Sequence, residues 1–158
     1  WDERWEEFSG WAEQGQRIKD ELLRLVDEDT RAFDRVMAAL GMPKSTDAEK
    51  SARSAALAAA NLGALQVPWQ VMQTAFGAFE LIRAMAEQGN PASASDAGVG
   101  ALCTRAAIRG AWLNVRTNAG GVKDKAAIEH TMKDGEKMDA DAARLEAEIL
   151  SIVERKFT

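Results

Sequence analysis

Apolar residues recur every three or four positions from the first residue onward. Trp1, Trp5, Phe8, Ala12, Gly15, Ile18, Leu22, Val26, Phe33, Val36 and Leu40 trace one stripe of a helix, with Asp29 set on it between Val26 and Phe33. The stripe predicts a single helix of roughly 60 Å. Gly10 and Gly15 mark where it could bend, and Gly41 followed by Pro43 ends it. Thr46-Asp47-Ala48-Glu49 reads as a capping box that opens a second, alanine-rich helix. Pro68 predicts a break near Val67–Pro68. A third helix then carries Trp69, Met72, Phe76, Phe79, Ile82 and Met85, and Gln88-Gly89-Asn90-Pro91 stops it. Ser93 is the expected N-cap of a fourth helix, which runs to about Asn118 and closes at Gly120-Gly121. That helix is small or apolar on most sides, so it belongs at the centre of a bundle or at a subunit interface. Lys123 to Phe157 forms a last helical region, with an interruption expected near Gly135. No alternation of strand type occurs, and the fold class is all-α, a multihelical bundle with long helices.

Composition adds bounds to this outline. A chain of 158 residues fits one domain, 1–158. A net charge of −5 argues against a nucleic-acid footprint. No apolar run is long enough for a membrane span. One cysteine excludes an intrachain disulfide and suits a reducing cytoplasm. Cys103, among Leu102, Ala106 and Ala107, is expected to be a buried small hydrophobe. One His and one Cys exclude a Cys/His metal site, and no metal is expected. The helical pattern already includes Trp1, which reads as the remainder of a longer protein.

The richest polar chemistry lies where the fourth helix begins. Asn90, Ser93, Ser95 and Asp96 stand among Gly89, Gly98 and Gly100, at a helix start with free backbone N–H groups. Asp96, at the N3 position, either stabilises its own helix or serves as a general acid/base. Asn114 and Asn118, four apart, either satisfy a backbone or read a polar heterocycle. Arg105, Arg109 and Arg116 either pair with buried carboxylates or bind an anion. Asp29, an acid on an apolar stripe, is a second candidate, with a salt bridge to one of those arginines as its plainer role. His130 reads as a surface residue, and Trp1, Trp5 and Trp11 as a packing strip.

Four segments in order carry a family resemblance: Leu25 to Phe33, Gly89-Asn90-Pro91, Ser95 to Leu102, and Gly110 to Arg116. They resemble the cyclodeaminase/cyclohydrolase family, the C-terminal domain of formiminotransferase-cyclodeaminase and its stand-alone relatives. The resemblance implies an intertwined homodimer and a tetrahydrofolate derivative as substrate, with no tightly bound cofactor. It implies closure of 5-formiminotetrahydrofolate to 5,10-methenyltetrahydrofolate with release of ammonia. The alternative is methenyltetrahydrofolate cyclohydrolase, and a reading of another class is a catalytically silent helical assembly module. In this frame Asp96 is the acid/base, and Arg105 and Arg116 bind the glutamate tail. Asn90, Asn114 and Asn118 contact the pterin or shape the turn, with Ser93, Ser95, Gly98 and Asp29 completing the expected site. The family's N-terminal Pro-Gly-Gly-Gly-Ser segment and the helix after it have no counterpart in the sequence. The domain is therefore expected to be N-terminally incomplete, with a separate fragment or a fused formiminotransferase domain as a partner.

Overall fold

The computed structural model describes residues 2–157. It consists of five helices and three single turns of 3₁₀ helix, with no strand among the described residues. α1 spans Trp5–Gly41, α2 Asp47–Phe76, α3 Ala78–Gln88, α4 Ala94–Ala119 and α5 Glu129–Glu154. The 3₁₀ turns, Asp2–Arg4, Pro91–Ser93 and Ala126–Ile128, lead into α1, α4 and α5. The all-α expectation holds. α4 is the central element: α2 packs along it, and α3 and α5 cover further sides. α1 lies outside, mainly against α2.

α1 is unbroken through Gly10 and Gly15 and is about 55 Å long. Its inward face differs from the expected stripe. Leu25, Ala32 and Ala39 are buried, while Val26, Phe33 and Leu40, each one residue further on, are exposed. Two apolar stripes run side by side from Leu22, and period alone does not say which meets the core. Gly15 marks a close approach to α3, since a Cβ there would lie 3.1 Å from Leu81 Cδ2. Trp1 of the proposed tryptophan strip lies outside the described residues, and Trp5 is exposed. α1 has no basic residue in its last turn. Arg53 of α2 supplies one, donating from Nε and Nη2 to the Leu40 carbonyl at 3.3 and 3.2 Å.

The capping box forms as expected. Thr46 Oγ1 accepts from the Glu49 backbone, and Glu49 Oε2 accepts from Thr46 N at 2.8 Å and Ser45 N at 2.7 Å. Those backbone donors hold the Glu49 carboxyl below its ordinary value. The clasp is therefore intact at neutral pH and is lost as pH falls through the lowered value.

α2 does not break at Pro68. It runs through this buried proline to Phe76, and the break comes at Gly77. Proline has no N–H, so the carbonyl four residues earlier, Ala64, loses its helical partner. Asn118 of α4 replaces it, donating from Nδ2 to the Ala64 oxygen at 2.7 Å. A second amide, Asn61 Nδ2, donates to the Gly121 carbonyl at 2.9 Å, so α2 and the end of α4 are clasped in both directions.

α5 also departs from expectation, running unbroken through Gly135. That glycine is buried, and a Cβ there would lie 2.4 Å from Trp112 Cζ3, so Gly135 is where the α4 indole presses onto the α5 backbone. The real interruption comes earlier, between Gly120 and Ile128, where Lys125 Nζ donates to the last α4 carbonyl, Ala119, at 2.7 Å.

Truncating Asn118 to Ala should cost about 1 kcal/mol, because the Ala64 carbonyl loses the donor that replaces its helical partner. Making the same change in a Pro68→Ala background should cost clearly less, since residue 68 then donates to Ala64 itself. Urea unfolding of the four proteins measures this coupling, and equal costs in both backgrounds would refute the clasp.

Candidate functional site

The start of α4 is set by Asn90, whose Oδ1 accepts from the Ala92 backbone at 3.0 Å and opens the 3₁₀ turn at Pro91. Ser93 occupies the N-cap position of α4 without a side-chain cap bond. Asp96 follows at N3, exposed and with no hydrogen bond or ion pair among the described residues. Asn90, Ser93 and Asp96 stand at the edge of an apolar slot of about 560 Å³. Trp11 and Gly15 of α1 and Leu81, Ile82 and Met85 of α3 form its walls. At its outer end Arg4 stacks on Phe8, with its guanidinium carbon 5.0 Å from the ring centre, and hydrogen-bonds Gln88.

The far end of α4 holds a second, polar cavity of about 290 Å³ between α1, α2 and α4. Asp29, Asn61, Asn114, Thr117 and Asn118 line it. Asp29 and Asn114 have no hydrogen bond or ion pair among the described residues. Asn61 and Asn118 have their amide nitrogens tied to backbone carbonyls, which leaves their oxygens as acceptors. Thr117 Oγ1 donates to the Leu113 carbonyl at 3.0 Å. Asn61 was not singled out from the sequence. It stands in an alanine-rich run, where its one polar group was the available signal.

A third cleft, of about 450 Å³, adjoins this cavity and shares Asn61 and Gly121 with it. Lys44, Lys50, Arg53 and Lys123 line it. Lys50 pairs with exposed Asp47 at 2.9 Å, while Lys44 and Lys123 have no ion pair among the described residues. The lining of the cleft carries these four cations and no carboxylate.

The arginines of α4 are placed differently. Arg105 Nη1 donates to Asp139 Oδ1 at 2.7 Å and also lies 3.9 Å from Glu146, while Arg109 reaches Asp139 Oδ2 at 2.5 Å. Asp139 is the one charged residue in the buried set among the described residues, so the two guanidiniums fix α5 against α4. The salt bridge first considered for Asp29 goes to Asp139 instead. Arg116 and Ser95 are exposed and line neither cavity. Gly98 is buried against α5, where a Cβ would lie 3.4 Å from Val153 Cγ1. His130 is on the surface, with Nδ1 3.1 Å from Asp134. Cys103, expected to be buried, is exposed, because it falls on the open face of α4 beside Val99 and Ala106. No helix among the described residues is long and apolar enough to cross a membrane.

The structure thus divides the expected site. Asn90, Ser93 and Asp96 meet at one end of α4, and Asp29, Asn114 and Asn118 at the other. Asp96 and Asn114 are 18 residues apart on one helix, about 27 Å.

A helical bundle with carboxylates and amides gathered at a central helix suits proton transfer on a polar heterocycle. The chain belongs to the formiminotransferase-cyclodeaminase family, whose sequence profile, described as Formiminotransferase-cyclodeaminase, matches residues 1–137. Over 144 residues the chain is 38% identical to a methenyltetrahydrofolate cyclohydrolase of Methylorubrum extorquens, covering 91% of this chain and 69% of that protein. It is 31% identical over 137 residues to the formimidoyltransferase-cyclodeaminase of Gallus gallus, covering 87% of this chain and 25% of that one. The Sus scrofa protein of the same name is 35% identical over 105 residues, 66% and 19% of the two chains. The chain therefore spans about a quarter or less of these two bifunctional relatives.

Truncating Asp139 to Ala should lower stability by about 2 kcal/mol, since it removes the shared acceptor of two arginines. Arg109 is half exposed and contributes less than Arg105. Thermal unfolding checks this: Arg105→Gln should lower the midpoint more than Arg109→Gln, and the reverse order would contradict the assignment.

Proposed function

We propose that the chain acts on the one-carbon bridge of a tetrahydrofolate derivative, making or breaking the bond between that carbon and a folate nitrogen. The observation that carries this reading is the polar cavity, where a free carboxylate stands with three amides between α1, α2 and α4. The 2-amino and N3–H groups of a pterin are adjacent donors, and a carboxylate such as Asp29 accepts both at once. Asn61, Asn114 and Asn118 offer the remaining donors and acceptors. The basic cleft next door suits the carboxylates of the glutamate tail. It replaces Arg105, which is already engaged, as the tail's partner.

Within that chemistry the leading reading is methenyltetrahydrofolate cyclohydrolase. It is supported by the relative of that name, which at 38% identity over 91% of this chain is more similar than the Gallus gallus protein at 31% over 87%. Water adds to the carbon of the N5=CH–N10 cation and loses a proton to a carboxylate. The carbon–N5 bond then breaks, giving the 10-formyl product with net release of one proton. Asp96 is the proposed acid/base, as the unpaired acid at the α4 start, and because that end lies about 27 Å from Asn114 in one chain it serves a pterin in the polar cavity only when a second subunit of the expected homodimer brings the two ends together. The cyclodeaminase reading is favoured by the bifunctional relatives. There N10 attacks the carbon of the protonated formimino group, N10 gives its proton to the carboxylate, and the nitrogen takes that proton and leaves as ammonia. Both reactions fit a homodimer in the cytoplasm, without a bound cofactor.

The purified protein should open 5,10-methenyltetrahydrofolate, followed by loss of its near-ultraviolet absorbance. Ammonia release from 5-formiminotetrahydrofolate would assign the second reading, and turnover of neither would refute both. Asp96→Asn and Asp29→Asn should each lower turnover about a hundredfold. Full activity in either variant removes that residue from the site. Lys44→Glu and Lys123→Glu should instead raise KM about tenfold at near-constant kcat, as expected when binding common to ground and transition states is lost. An unchanged KM for a glutamylated substrate would empty the basic cleft of its role.

A further inference from the structure

The polar cavity between α1, α2 and α4 is lined by hydrogen-bonding groups whose direction is already fixed. A side-chain amide ordinarily presents either its oxygen or its nitrogen to a ligand. Asn118 cannot, because its Nδ2 donates to the Ala64 carbonyl at 2.7 Å. Asn61 cannot, because its Nδ2 donates to the Gly121 carbonyl at 2.9 Å. A carbonyl only accepts, so turning either amide over would set oxygen against oxygen. Thr117 is fixed in the same sense: its hydroxyl proton goes to the Leu113 carbonyl, which leaves the oxygen as an acceptor. Asp29, as a carboxylate, accepts only. These four groups of the lining therefore present acceptors. Asn114, with no hydrogen bond among the described residues, is the amide still able to turn, and no Lys or Arg is among the lining residues.

Such a lining favours a ligand rich in donors and penalises one that brings acceptors of its own. An acceptor pressed against an acceptor loses its water and gains nothing in return. The oxidation level of a pterin changes this balance at one atom. N8 carries a hydrogen in the tetrahydro and 7,8-dihydro rings and is a bare acceptor in the fully oxidised ring. The 2-amino and N3–H donors and the N1 and O4 acceptors are common to all three. Asn114 answers those shared acceptors by turning its amide, so a bare N8 faces only oxygen.

Building on the pterin assignment of this cavity, we infer that its locked amide oxygens read the oxidation level of the ring, accepting N8–H and excluding a bare N8, and that Pro68 sets this preference from outside. Pro68 is buried within α2 and does not line the cavity. It acts through the N–H that it lacks. That gap leaves the Ala64 carbonyl free to hold the Asn118 nitrogen, and so keeps the Asn118 oxygen for the ligand. In Pro68→Ala the backbone N–H of residue 68 supplies Ala64 instead. Asn118 is then released to turn its nitrogen toward a bare N8. A proline that interrupts the hydrogen bonds of its own helix is in this way a positioning residue for ligand choice.

Folic acid, 7,8-dihydrofolate and tetrahydrofolate share one tail and lack the one-carbon bridge. None is turned over, and the contribution of the tail cancels in their ratios. Calorimetry under nitrogen should find dihydrofolate and tetrahydrofolate bound about equally by the wild type, and folic acid about thirtyfold more weakly. In Pro68→Ala, folic acid should recover to within about threefold of dihydrofolate. Asn114→Ala should weaken all three and leave their ratios unchanged. Equal wild-type binding of folic acid and dihydrofolate would overturn the inference. So would dihydrofolate as weak as folic acid, since the preference would then follow ring pucker rather than N8–H. A ratio unmoved in Pro68→Ala, in a protein with the wild-type helical spectrum, removes Pro68 from the device. p-Aminobenzoylglutamate, which has the tail and no pterin, separates the two assignments. If it binds as tightly as tetrahydrofolate, the cavity holds no pterin, and the assignment of the cavity fails together with the inference. If it binds more weakly while folic acid matches dihydrofolate, the pterin assignment stands and the reading of N8 alone is lost.

Discussion

The pairing of α2 with α4 turns on a carbonyl without a helical partner. Pro68 leaves the Ala64 carbonyl without its helical partner midway along a long helix, and a partly buried carbonyl left unpaired costs free energy. Asn118 answers it from the neighbouring helix. The bond that repairs α2 therefore also sets where α4 lies against it. Asn61 repeats the device from the other side at Gly121. Once α2 and α4 are registered this way, α1 lies over α2 and closes the polar cavity on its third side. The cavity's amides are thus half structural. Their nitrogens hold the backbone, and their oxygens are what remains for a ligand.

Most of the helices could be read from the residues, and the reasons for the exceptions are physical. Capping chemistry is local, so the Thr46 box and the stop at Gly89-Asn90-Pro91 were legible. Breakers are conditional on context. Pro68 reads as a break because its compensation comes from Asn118, 50 residues later. Gly135 reads as a weak point because the indole that needs its missing side chain, Trp112, belongs to another helix. The face of α1 was misjudged by one residue, since Leu25 and Val26 both continue an apolar stripe. Only the packed partner distinguishes them.

The candidate site was legible as a set of residues but not as one place. Asp29, Asn114 and Asn118 converge at one end of α4, and Asn90, Ser93 and Asp96 at the other. Motif order along a sequence carries no information about which end of a long helix each motif occupies in the fold. Arg105 shows the complementary difficulty. Its partner, Asp139, lies in a segment with no distinguishing motif, so a guanidinium that fixes α5 to α4 looks the same as one awaiting an anion.

Arg53 joins two functions that are usually separate. Its guanidinium caps the last turn of α1 through Leu40 and also forms part of the basic cleft. A carboxylate drawn to that cleft competes with the Leu40 carbonyl for the same donors. Occupancy of the cleft and fraying at the end of α1 are thereby linked, and linkage is reciprocal. A tail bound there would loosen the far end of the helix that carries Asp29, and a stiffer α1 terminus would weaken the grip on the tail.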